Sequence, residues 1–210
     1  MTQVSDKHPK IPFLMAQVTN NIIINDILIP ALKRLYLIDY DNIRFGVSER
    51  NICARLAHHM ENIKREYDSS HSTKYFRNYY ADVEYNRMGN GDLKQYENSK
   101  RISTYMVSDL LIQSRGYERN YLAVEMKRKG SNRHVDEDKE RLSSMVSPRS
   151  KNEEQRCVHN TLVGAFIVYG TDGVKIELYE NINGEVKKSD IRSINYKELR
   201  TSSERGAVSY

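Results

Sequence analysis

Residues 107–130 read VSDLLIQSRGYERNYLAVEMKRKG, and the alternation in their second half decides how the chain is read. Tyr121, Ala123, Glu125 and Lys127 fall on one face of a strand, and Leu122, Val124 and Met126 fall on the other. Two apolar runs, STYMVSDLLIQS (103–114) and NYLAVEMK (120–127), flank the turn-like RGYERN and are expected as adjacent antiparallel strands. Two charges closing an otherwise apolar strand are costly unless they pair, bind a metal or meet solvent in a cleft.

A Glu-x-Lys or Asp-x-Lys triplet means little alone, since 28 acidic residues and 15 lysines in 210 positions give about two by chance. Four occur: Asp92-Leu93-Lys94, Glu125-Met126-Lys127, Glu137-Asp138-Lys139 and Glu185-Val186-Lys187. The first lies in a Gly-rich stretch, the third in a polar helix start and the fourth after an Asn-Gly turn. Only the second sits on a strand with an apolar opposite face. Asp109, between Val107 and Leu111 on the preceding strand, approaches Glu125 if the two strands pair through their short turn. Two converging carboxylates repel unless a cation lies between them. Hard oxygen ligands with room for water suit magnesium. Lys127 can then orient or deprotonate an attacking water, or stabilise charge on a phosphate. The plain alternative for Asp109, Glu125 and Lys127 is a buried ion pair with a capping carboxylate.

Working outward, residues 25–40 are expected to be helical, with Pro30 in the first turn or at a kink. Ser48 is a good N-cap, and Ile52, Leu56, His59 and Ile63 recur at helical spacing, giving an amphipathic helix over 49–67. YYADVEYN (79–86) alternates as a strand with Asp82, Glu84 and Asn86 on its polar face, and 87–101, with Gly89-Asn90-Gly91, reads as a long hairpin loop. DEDKERLSSMV (136–146) is expected as a covering helix with an acidic first turn, followed by a polar linker over 147–156. TLVGAFIVYG (161–170) and VKIELYEN (174–181) flank Thr171-Asp172-Gly173 as a hairpin. The order is helix, three strands, helix, two strands: one domain over 1–210, with a core at about 48–181, a helical extension over 1–47 and a polar tail over 182–210.

Composition sets the outer bounds. Hydrophobic residues at 39% and charged residues at 29% suit a folded chain, and the net charge of +5 favours a polyanion without requiring one. Cys53 and Cys157 lack CxxC spacing and are expected as buried free thiols. No apolar run or leader layout points to a membrane, so a cytoplasmic setting is expected. The six histidines lack partners at ligand spacing, and the 15 tyrosines are read as strand and core residues.

The stretch 107–130 resembles the PD-(D/E)xK nuclease superfamily, with Ser108-Asp109 in the Pro-Asp place and Glu125-Met126-Lys127 as the ExK. Ser in place of Pro is a departure tolerated in that superfamily. By order of elements the resemblance covers residues 48–170. It implies a three-layer α/β sandwich of the restriction-endonuclease-like kind, with a central mixed sheet flanked by helices. It also implies Mg2+, with Mn2+ as a substitute, and hydrolysis of phosphodiester bonds in DNA or, less often, RNA. Asp109 and Glu125 then bind the metal and Lys127 serves the nucleophile. The further acidic residue is Glu49, at the start of the capped helix, or Glu84, in ADVEYNR (81–87); each also has a plain reading, as a first-turn helix residue or an exposed strand carboxylate. Arg128, Lys129 and Arg133 are candidates for gripping a phosphate backbone, with a solvated loop as the alternative. The rival from another class is a non-catalytic module of this fold that binds nucleic acid or protein, as a subunit of a defence complex. A homodimer would let two sites cut two strands.

Overall fold

The computed structural model describes residues 18–85, 95–97, 103–105, 107–114, 119–148, 161–189 and 192–201. A π-helical segment, Ile22–Leu28, runs directly into α1, Ile29–Ile38, with Pro30 at the junction. Pro30 offers no N–H to the carbonyl of Asp26, and the turns before it close on a wider pattern, Ile29 N–H bonding to Ile24 O. A short α2, Tyr40–Arg44, leads through a turn to α3, Glu49–Ser70, whose N-cap Ser48 accepts from the N–H of Asn51.

The strands are β1 Tyr80–Val83, β2 Gln95–Glu97, β3 Ser103–Tyr105, β4 Leu110–Gln113, β5 Leu122–Arg128, β6 Val163–Gly170, β7 Gly173–Ile182, β8 Glu185–Lys188 and β9 Arg192–Asn195. Helix α4, Val135–Val146, connects β5 to β6, and α5, Tyr196–Thr201, follows β9. The seven-stranded mixed sheet has the order β1-β4-β5-β6-β7-β8, with β9 also on β7, while β2 and β3 form a separate ribbon. Among the described strands only β5 and β6 pair in parallel, as a helical crossover between them requires. β8 and β9 cover two halves of one strand, at Tyr179–Ile182 and Gly173–Ile176.

Period-2 alternation sorts the side chains between two cores. Leu110, Ile112, Leu122, Val124 and Met126 pack with the helices before the sheet, and Leu111, Ala123 and Phe166 pack beneath Leu142, Met145 and Val146 of α4. The sheet thus carries helices on both faces, and Glu125 and Lys127 share the α4 face with Ala123.

Four expectations need correction. STYMVSDLLIQS is not one strand: β3 belongs to the ribbon, β4 begins at Leu110, and Asp109 sits on a bend just before it. The strand over 79–86 stops at Val83, because Glu84 has left-handed backbone (φ 51°), which takes its carboxylate off the alternation. Within the expected 87–101 loop, Gln95–Glu97 is strand; the other positions lie outside the described residues, as do Cys157 and most of the 147–156 linker. The segments set apart as extension and tail feed the main core, with Ile23, Ile27, Leu32, Leu35 and Tyr36 from one end and Leu199 from the other, all fully buried. The polar letters of the tail mislead because β8, β9 and α5 need only a few apolar contacts to seat on β7 and α1.

Leu32→Ala is expected to lower the unfolding free energy by about 2–5 kcal/mol, the cost of a core cavity. Urea unfolding followed by circular dichroism checks it; a near-neutral effect would mean that α1 is peripheral.

Candidate active site

The site lies at the C-terminal end of β5, where the first turns of α3 and α4 arrive from opposite faces. The β4–β5 register pairs Leu110 with Val124, so Asp109 stands one step further on, across from Glu125. Its Oδ2 accepts the Met126 N–H at 2.7 Å, which fixes the carboxylate on the sheet end. Glu125, 1% exposed, accepts from Arg141 Nε at 2.8 Å. Arg141 also bonds Asp138, one turn earlier on α4. Lys127 Nζ lies 2.9 Å from Asp138 Oδ2 and 4.0 Å from Glu49 Oε2. Glu49, in the first turn of α3, also accepts the backbone N–H of Arg128.

Four carboxylates, Glu49, Asp109, Glu125 and Asp138, thus share two cations, Lys127 and Arg141. Burial pushes the Glu125 carboxyl up to about 8; Arg141 pulls it down only in part, while the charges of Asp109 and Asp138 push it further up. Burial also raises Asp109, against the Met126 N–H and Lys127, and it raises Glu49, against Lys127. Lys127 is the reverse case: burial works downward, but the Asp138 bond and the charges of Asp109 and Glu49 outweigh it and hold the ammonium protonated.

Glu177 provides an internal comparison. It lies on β7, opposite Phe166, which is itself opposite Glu125, so the two glutamates share one face of the sheet. Burial raises the Glu177 carboxyl too, but bonds from Tyr179, Lys188 and Lys139 outweigh it and leave it below the usual glutamate range. That network is electrically complete, whereas the one around Glu125 is short of positive charge.

The structure brings Asp109, Glu125, Lys127 and Glu49 together. Glu84 stands at the rim: its N–H donates to Asp109 O at 3.3 Å, and its carboxylate pairs with Arg50 at 3.0 Å. Of the basic residues, Arg128 lies against Gly46, Lys129 pairs with Asp172 at 2.5 Å, and Arg133 is exposed in the turn before α4. Three residues of the site escaped the sequence reading. Asp138 lies in a polar triplet, yet it precedes Leu142 and Met145 by four and seven residues, an apolar-stripe position holding a carboxylate, with Arg141 one turn on. Tyr169 gives no such signal within an apolar strand. Its hydroxyl is buried without a hydrogen-bond partner among the described residues, beside Glu49, Cys53 and Arg128, and burial raises its pKa strongly.

Carboxylate oxygens are hard donors of the kind that divalent cations take. No cage of three or more His, Cys, Asp or Glu side chains is preformed among the described residues. Magnesium needs only one or two carboxylates when water and substrate phosphate complete its shell. Asp109 and Glu125 are the two that would hold it, and Glu125 would share its carboxylate with Arg141. No protein-family model, curated protein or solved structure matches the chain. No helix among the described residues is long and apolar enough to cross a membrane.

Because the Glu125 carboxyl titrates near 8 when folded, against an ordinary value of 4.5, its ionisation subtracts stability as the pH rises through that interval. Glu125→Gln keeps an acceptor for Arg141 and removes the titration. In chelator its unfolding free energy is expected to lie close to the parent's near about pH 5 and to exceed it by about 4 kcal/mol near about pH 9. A gap that does not vary with pH would show that Glu125 is ionised throughout.

Proposed function

We propose that this chain is a metal-dependent nuclease of the PD-(D/E)xK type, hydrolysing phosphodiester bonds in nucleic acid, with DNA as the first candidate. The observation that carries this reading is the convergence of Asp109, Glu125 and Lys127 at the end of β5, in a cluster left short of positive charge by burial. A restriction-endonuclease-like arrangement of the sheet, a cytoplasmic setting and action as a dimer or a partnered subunit belong to the same proposal.

When bound, Mg2+ would polarise the scissile phosphate and activate water. Glu125 would present its oxygens from β5 and Asp109 from the bend before β4, held in place by the bond from the Met126 N–H. Lys127, kept protonated by Asp138, Asp109 and Glu49, acts as a charged donor that orients the nucleophile or neutralises charge developing on the phosphate. That favours an electrostatic role over a general-base role. Glu49 accepts the Arg128 N–H and lies near Lys127, which makes it the better placed of the two further acidic candidates. Asp138 and Arg141 are positioning residues: one holds Lys127, the other Glu125.

One observation favours a second reading. Arg141 already occupies Glu125, and a nuclease that awaits an activating partner, or a binding module that cuts nothing, would have reason to keep that pair closed.

Purified protein is to be incubated with supercoiled, linear and single-stranded DNA and with RNA, in magnesium, manganese or chelator. Cutting is expected with either metal, and Glu125→Ala or Lys127→Ala should reduce it by about 100-fold or more. Cutting that survives chelator, or survives both substitutions, contradicts this assignment of the site.

A further inference from the structure

Phe45 is the most exposed large hydrophobic side chain among the described residues, at 74%. It stands on the turn between α2 and α3, four residues before Glu49. The turn is firmly built: Phe45 N–H bonds to Asp41 O at 2.8 Å, Gly46 N–H to Ile43 O at 3.2 Å and Val47 N–H to Asn42 O at 3.1 Å. Gly46 has a left-handed φ of +70°, and a Cβ there would come within 2.3 Å of Arg128 Nη1. The missing side chain is what lets the Arg128 guanidinium lie against the turn. Arg128 in turn donates its backbone N–H to the Glu49 carboxylate. The exposed ring is therefore tied to the candidate active site through one residue.

One cation lies against the ring. The Arg44 guanidinium sits 5.5 Å from its centroid, whereas the exposed side chains of Arg50 and Lys129 are paired with Glu84 and Asp172. Ile43 of the same turn borders a cleft of about 260 Å³, whose wall includes Arg128 and the Lys129–Asp172 ion pair. An aromatic displayed on a rigid turn with a guanidinium beside it offers a surface to a ligand with an apolar face and anionic flanks. A nucleobase in a single strand has both. A base within a duplex has its faces covered by its neighbours.

We propose that the α2–α3 turn is a single-strand binding element. One unpaired base stacks on Phe45, and the adjoining phosphates lie on Arg44 and Arg128 and lead toward Glu49 and Lys127. The proposal rests on the nuclease reading and narrows it to a substrate that is single-stranded or locally unpaired at the cut; the chemistry described is shared by DNA and RNA.

The test is fluorescence anisotropy in chelator, with a labelled DNA single strand of about 20 nucleotides and the corresponding duplex. The wild type is expected to prefer the single strand. Phe45→Ala should weaken single-strand binding by about tenfold and duplex binding by less than about twofold, the size of one lost stacking contact. Phe45→Trp should restore it, and neither substitution should move the thermal midpoint. Equal single-strand binding by wild type and Phe45→Ala, an equal loss on both substrates, or no single-strand binding at all overturns the proposal. Phe45-dependent binding by a protein that cuts nothing supports this element while the nuclease reading fails; metal-dependent cutting with unimpaired Phe45→Ala binding sinks this element alone.

Discussion

The Glu125 carboxylate is held out of water at the end of a central strand, opposed by a single guanidinium, and the rest of the site is arranged around that constraint. A buried ionised carboxylate with one partner and two like-charged neighbours is expensive. The fold meets the cost in part through Arg141 and in part by letting the carboxyl titrate near 8. Two β-strands away, Glu177 has two lysines and a tyrosine and titrates low. A protein able to complete one such network has the means to complete both. The network around Glu125 stays short of positive charge, and the proposed cation site rests on that difference.

The architecture follows from where that carboxylate must sit. β5 is central, parallel to β6 along its whole length and antiparallel to β4 only as far as Val124, beyond which the Asp109 carboxylate accepts the Met126 N–H in place of a strand partner. The parallel pairing requires the α4 crossover, and α4 delivers Asp138 and Arg141 onto the face bearing Glu125 and Lys127. From the opposite face, the Ser48-capped start of α3 brings Glu49. The cap that starts α3 and the turn that carries Phe45 are adjacent in sequence, so one short segment serves the helix, the acidic cluster and the exposed ring.

Much of this was legible in the letters. Strict alternation in 121–127 placed Glu125 and Lys127 on one face, and helical spacing after Ser48 gave α3, which runs three residues further than expected. The strand pairing that sets Asp109 across from Glu125 followed from two apolar runs and a short turn. What was hidden depends on tertiary context. A run of β-formers over 103–114 carries no mark of the bend at Asp109, because the bend is held by a bond to Met126 on another strand. Glu84 reads as a strand residue until its left-handed backbone is seen. Asp138 sits in a polar helix start, and only the sheet beneath it turns that polarity inward. Leu199 gives no hint of burial inside a polar tail.

The most direct test of the central claim is manganese binding, followed by the paramagnetic signal of free Mn2+ as the protein is titrated. One site per chain is expected in the wild type, lost when Asp109 or Glu125 is replaced by alanine and kept when Glu84 is replaced. Absence of binding in the wild type, or binding untouched by both substitutions, would contradict the claim that the carboxylates at the end of β5 form a cation site.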